Sequence, residues 1–181
     1  MHISKNQGET MNSNEEIKQA FDKFAGWLKD CLFHVDDNYL KENPSPGVSF
    51  EISTFMTRGY KYPFNISYVP QYEGMVMFNS GVALEEGDHA SLMMMRKGER
   101  TQILMDLRKY VFPLRVNLEV SLPRFFLYKL VTIDALKDNK NYFVEQVFNF
   151  RNAAELLKIR IDEAFFEENP DGFKQGDDYY K

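Results

Sequence analysis

The side chains able to do chemistry are few and widely spaced. There are three histidines, His2, His34 and His89, and a single cysteine, Cys31. No histidine stands in an H-x-x-H or H-E-x-x-H spacing and no second thiol exists. A zinc site would therefore have to be assembled from residues distant in sequence. The densest group is Glu85-Glu86-Gly87-Asp88-His89. It could offer carboxylates and an imidazole to a divalent cation. The stronger reading is a solvated turn, with Asp88 as helix N-cap and acids near a positive helix end. Cys31 would be a reactive thiol if its pKa were lowered. It lies between Leu28 and Leu32 on an apolar stripe, which reads as a small core residue. No G-x-S-x-G, G-x-G-x-x-G or G-x-x-x-x-G-K-[ST] segment occurs, so the standard nucleophile elbow and phosphate cradles are missing. Asn79-Ser80-Gly81 reads as a strand irregularity. No catalytic residue, metal or cofactor is expected.

Two further features bear on partners. Met93-Met94-Met95 could line an adaptable binding surface or fill core gaps. Consecutive positions face different directions, so only part of the run can be exposed. Between Arg96 and Lys129 stand eight basic residues, Arg96, Lys97, Arg100, Arg108, Lys109, Arg115, Arg124 and Lys129, against three acids, Glu99, Asp106 and Glu119. This basic stretch sits in a chain of net charge −5. Arg96, Lys97, Arg100, Arg108 and Lys109 form the candidate patch. Aromatics are not interleaved with these cations as in RNA-binding surfaces. A solvated face that attracts an acidic partner, or the chain's own acidic tail, outweighs a nucleic-acid face.

These groups need a scaffold, and the composition permits one. Of 181 residues, 44% are hydrophobic, 27% charged and 15% aromatic. That is an ordinary globular balance with enough aromatic bulk for a core, which excludes a wholly disordered chain. No run approaches the ~20 apolar residues of a membrane span, and the first residues have no signal-peptide h-region. One cysteine allows no internal disulfide, which suits a reducing, cytoplasmic setting. Residues 1–12 are polar and aperiodic and read as a disordered leader, with Met11 an alternative start. Residues 169–181 read as an acidic flexible tail, leaving a single domain over 13–168.

Periodicity supplies the elements. Ser13 and Glu16 form a capping box. Ile17, Phe21, Phe24, Leu28, Cys31 and Leu32 then share one helical face, and the helix should end near Phe33. Alternation predicts a strand over 48–55, with Phe50 and Ile52 inward and Glu51 and Ser53 outward. A second strand lies between Pro63 and Pro70, where flanking prolines suggest an edge. A third covers 75–84, and short connections make the three an antiparallel meander. Helices follow over 88–96, capped by Asp88, and 99–112. Val116, Leu118 and Val120 mark a fourth strand, and 125–133, apolar on both faces, a central fifth. The last helix, 139–166, carries Val147, Phe150, Ala154, Leu157, Ile161 and Ala164 in one row and Val144, Phe148, Leu156 and Ile159 in another. That face is wide enough to pack on a sheet.

The order is α-βββ-α-ββ-α, an α+β domain with an antiparallel sheet of about five strands and helices mainly on one face. Several residues add a resemblance: Trp27 on the first helix, Asp88-His89 entering the middle helix, Arg100…Ile103-Leu104-x-Asp106-Leu107-Arg108, and Thr132-Ile133-Asp134-Ala135-Leu136. With this element order, the chain resembles a small family of uncharacterised, largely archaeal prokaryotic proteins of type III secretion chaperone-like, or YbjN-like, fold. The resemblance implies an α+β fold and a tendency to dimerise. It does not imply secretion.

The function expected is a non-enzymatic protein-interaction or chaperone-like module, a homodimer with a possible protein or peptide partner. The alternatives are a binder of a small apolar ligand, or an enzyme built on such a pocket, and, more weakly, nucleic-acid binding through 96–129. The candidate interaction surface is Phe125, Phe126, Leu127, Val116 and Leu118, with Met93 and Met94, because an apolar surplus beyond what one covered sheet face buries marks a contact. Both ends lack apolar periodicity and should bury little. Deleting residues before Ser13 and after Asn169 is expected to change unfolding free energy by less than ~1 kcal/mol, read by urea denaturation.

Overall fold

The computed structural model describes residues 14–36, 47–58 and 62–166. The cap expected at Ser13, both chain ends and His2 lie outside them. Helix α1 (Asn14–Asp30) buries Ile17, Ala20, Phe21, Phe24, Ala25 and Leu28 on one face. It stops earlier than the periodicity suggested. Leu32 takes a left-handed conformation, φ 64°, and its N–H donates to the Lys29 carbonyl at 3.1 Å. Such a residue closes a helix end and reverses the chain. Leu32 is consequently exposed, and Phe33–Val35 becomes a short strand, β1, with Phe33 and Val35 buried.

The meander follows as β2 (Phe50–Met56), β3 (Phe64–Tyr68) and β4 (Met75–Ala83), each antiparallel to the next. β3 is internal rather than an edge, because Pro63 and the proline at 70 flank it without interrupting its hydrogen bonds. Asn79, Ser80 and Gly81 continue the regular register opposite Tyr128, Leu127 and Phe126, so the expected irregularity does not occur.

Helices α2 (Glu86–Met94) and α3 (Lys97–Val111) come next. Glu85, not Asp88, holds the N-cap position of α2. The Arg96 N–H donates to Glu99 Oε2 at 3.1 Å and starts α3 two residues early, so Gly98 falls in a first turn, where its missing side chain costs little. A 3-10 turn (Phe112–Leu114) leads to β5 (Asn117–Ser121) and β6 (Arg124–Thr132). A short α4 (Ile133–Leu136) precedes α5 (Lys140–Phe166). The Asn139 side chain accepts the Tyr142 N–H at 3.0 Å at the start of α5.

The sheet has six strands in the order β1-β2-β3-β4-β6-β5. The α+β class, the antiparallel sheet and the helices on one face are as expected, with β1 the added strand. Register puts Ile52, Ile66, Phe78 and Lys129 in one row and Val76, Val131 and Tyr68 in the next, all towards the helices. Phenylalanines fill the space between. Phe24 of α1 stacks on Phe143 of α5, centroids 4.4 Å apart and planes 7° apart. Phe143 reaches Phe78, which reaches Phe150, which reaches Phe64. Phe143 is fully buried where α1, α5 and the sheet meet. Phe143→Ala is expected to cost ~3–5 kcal/mol, as large aromatic-to-alanine changes in cores do. A guanidinium midpoint close to that of the parent would show that this contact is not central to the fold.

Candidate functional site

The residues singled out by sequence do not converge on one place. Phe125 and Leu127 are 0% and 1% exposed and face the helices. Val116 is also buried, and Leu118 is half-buried opposite Leu127. These four belong to the core side of the sheet and are not surface groups. The strand looked apolar on both faces, and period-two geometry divides it: Phe125 and Leu127 point in, Phe126 and Tyr128 point out. Phe126 is 37% exposed. Its ring stacks on Tyr128 at 5.8 Å. Met77 and Leu130 are paired on the same outer face, and both are half-buried. Elsewhere this face carries cross-strand polar pairs, with Phe55 beside them at the β1 side: the Ser53 hydroxyl donates to Asn65 Oδ1 at 2.9 Å, and the Asn79 amide donates to Ser67 Oγ at 3.1 Å. Glu51 lies on this face, as expected, but is buried rather than solvated.

Met93 and Met94 are exposed near the end of α2, far in sequence from β6, while Met95 is half-buried against the core. The basic candidates are strung along α3. Arg96, Lys97 and Arg100 lie at its start, with an Arg100 Nη 3.5 Å from the Met93 sulfur. Arg108 and Lys109 lie in its last turn. Lys109 pairs with Asp106 at 2.7 Å. The Lys109 hydrogen bond, with that of Gln102, holds the Asp106 carboxyl below the usual range. The positive charge is therefore divided between two ends of a helix and partly neutralised.

Around Glu85–His89 no metal-ligating group forms: among the described residues no three His, Cys, Asp or Glu side chains gather. Partial burial, then Glu85 and Asp162, push the Asp88 carboxyl up, with Lys158 opposing. His34 stacks on Phe55 at 4.8 Å and lies 3.6 Å from Asp36. Cys31 is half-buried and packs against the core.

A cleft that sequence reasoning missed lies at the other end of β6. β5 pairs with β6 only as far as Tyr128, opposite Asn117. Beyond that point Lys129–Thr132 run on without a β5 neighbour, and the gap is walled by α5 and the 3-10 turn. The resulting cavity is about 640 Å³. Tyr142, Glu145, Gln146 and Asn149 of α5 line it, at i, i+3, i+4 and i+7, the spacing of one helical face. Arg115 and Lys129 line the opposite side. Arg115 closes the 3-10 turn in a left-handed conformation, φ 55°, with its N–H on the Phe112 carbonyl at 3.1 Å. Among the described residues neither cation makes an ion pair. Burial first, and then the neighbouring Arg115 charge, hold the Lys129 ammonium below the ordinary lysine range, against an opposing pull from Glu145. The visible signal was the polar row on α5, overlooked beside its two apolar rows. The lining is mixed: Met75, Pro113, Leu114, Leu130 and Val131 stand beside the polar and charged groups.

The six-stranded antiparallel sheet with its helices defines the chain as an α+β domain. Comparison with known proteins gives the family. Residues 22–161 match the family described as "Uncharacterized conserved protein (DUF2299)", and the chain belongs to it. No curated protein matches the sequence. Among solved structures, an uncharacterized protein from Methanothermobacter thermautotrophicus superposes with a TM-score of 0.65 at 14% identity, covering 81% of this chain and 99% of that one. That likeness shows the fold. A chain of the ExsC–ExsE complex superposes with a TM-score of 0.47 at 12% identity, covering 81% of this chain and 93% of that one. No helix among the described residues is long and apolar enough to cross a membrane.

The Lys129 environment has a pH consequence. Its folded-state pKa lies below the unfolded value, so between the two the unfolded chain binds more protons and stability rises with pH. At neutral pH the charged ammonium therefore opposes folding. Lys129→Met is expected to be at least as stable as the parent in urea near pH 7, with the difference shrinking as the pH nears the ordinary lysine value of 10.5. A variant less stable than the parent at neutral pH, or a difference that does not change with pH, would contradict the uncompensated-cation reading.

Proposed function

We propose that the chain is a non-enzymatic, chaperone-like protein-interaction module of the cytoplasm that pairs with a second copy of itself through the outer face of β6. The observation that carries this is the one-sided covering of the sheet. The described helices lie on one face, and Phe126 and Tyr128 stand together on the other with Met77 and Leu130 beside them. An apolar group on a sheet face that no described helix covers favours removal from water.

A second copy is the occupant favoured by this surface. Twofold pairing uses the same patch on both partners. Two sheet faces can stack with side chains interdigitating at ~10 Å. Glu119 stands opposite Phe126 on this face, and Arg124 lies two residues from Phe126 along β6. The patch thus carries opposite charges that a twofold contact can bring together. The divided, partly neutralised cations of α3 give less support to nucleic-acid binding.

Light scattering after gel filtration at tens of micromolar is expected to return about twice the monomer mass. Tyr128→Glu and Phe126→Glu should return monomers with unchanged circular dichroism. Leu127→Glu, which places a charge in the core, should unfold the chain instead. A compact wild-type monomer, or glutamate variants that remain dimeric, would overturn the reading.

A further inference from the structure

We propose that the cleft between α5 and the free end of β6 binds a small organic carboxylate. Arg115 and Lys129 would hold the anionic group, the amides of Gln146 and Asn149 the polar atoms beside it, and Pro113 and Leu114 an apolar body.

Three observations lead to this. The first is the pair of cations. Arg115 and Lys129 line one wall, close enough for the guanidinium to depress the ammonium, and among the described residues neither has an ion-pair partner. Like charges held together at a partly buried site favour an anion between them. The second is Gln146. It is 5% exposed, lines the cleft and makes no hydrogen bond to another described residue. Its amide atoms are not sealed off by protein and open to the cleft, where a ligand can supply their hydrogen bonds. The third is size: about 640 Å³ falls within the ~300–1,000 Å³ of small-molecule sites.

The charge balance selects the class. Glu145 also lines the cleft, so two positive groups face one negative group. That favours a monoanion over doubly charged phosphate. A guanidinium fork matches the two oxygens of a carboxylate, and a primary ammonium accepts either anion. The proposal rests on other residues than self-association does: of the outer-face patch only Leu130 borders the cleft, and Phe126, Tyr128 and Met77 do not.

The test uses the full chain labelled for side-chain amide NMR and titrated with sodium hexanoate and sodium benzoate, with hexanamide and inorganic phosphate at matched ionic strength. Saturable shifts of the Gln146 and Asn149 amides are expected with at least one carboxylate. Binding should weaken about tenfold or more in Arg115→Gly and in Lys129→Met. Glycine accepts the left-handed conformation of Arg115, and methionine keeps the unbranched stem of Lys129, so dispersed spectra should persist. The proposal is overturned if neither carboxylate gives a saturable response, if hexanamide or phosphate binds as tightly, or if both folded variants bind like the parent.

Discussion

Phe24 and Phe143 meet ring on ring above Phe78, and the rest of the structure is arranged around that contact. It joins the first helix to the last across more than a hundred residues of chain and sets both on the same face of the sheet. Stacked and tilted rings at these separations add to the burial of their area, so the contact favours one placement of α5 over its neighbours. Once α5 is set there, Phe150 must meet Phe64 and Phe78, and Phe148 must meet Phe33. The C-terminal half of α5 then packs along α3, where the Arg160 guanidinium lies 4.3 Å from the Tyr110 ring centre. The described helices thus spend their apolar faces on one side of the sheet, and none is left for the other.

Much of this was legible because both periods are strong. Phe64, Ile66 and Tyr68 alternate, and Val147, Phe150, Ala154, Leu157 and Ile161 repeat at helical spacing, so strand and helix are each declared by their own residues. What was not legible has local causes. β1 has three residues, too few for alternation to register, and depends on Leu32 adopting a conformation that leucine seldom takes. Glu85 became the helix boundary although Asp88 is the better capping type, since the chain leaves the sheet at Leu84 and must begin to coil at once. Neither effect is contained in a propensity.

The cleft was hidden for a different reason. Arg115 and Lys129 were counted among eight basic residues, and charge counting cannot tell a solvated cation from one enclosed by α5. Gln146 and Asn149 carry no motif. Their significance depends on the strand lengths: β5 begins only at Asn117, opposite Tyr128, while β6 continues to Thr132. A gap of four residues along one strand edge, roofed by a polar helix row, turns ordinary side chains into a lining.

The two halves of the outer face show how a one-sided sheet can be kept compatible with water. Over β2, β3 and the adjoining edge of β4, hydroxyls and amides pair with one another across strands. Ser53 meets Asn65 and Asn79 meets Ser67, so the polar groups are satisfied and invite no partner. Towards β6 the ladder gives way to Met77 and Phe126, which have area to lose and no polar bonds to satisfy, and to Tyr128, whose hydroxyl is its one polar group. The boundary runs along β4: Asn79 faces Asn65 on one side and Tyr128 on the other. A contact governed by apolar area must therefore lie off-centre, over β6. Two sheets stacked by a twofold axis there would overlap by part of their width and leave the hydrogen-bonded ladders at the solvated rim, where groups already paired lose little.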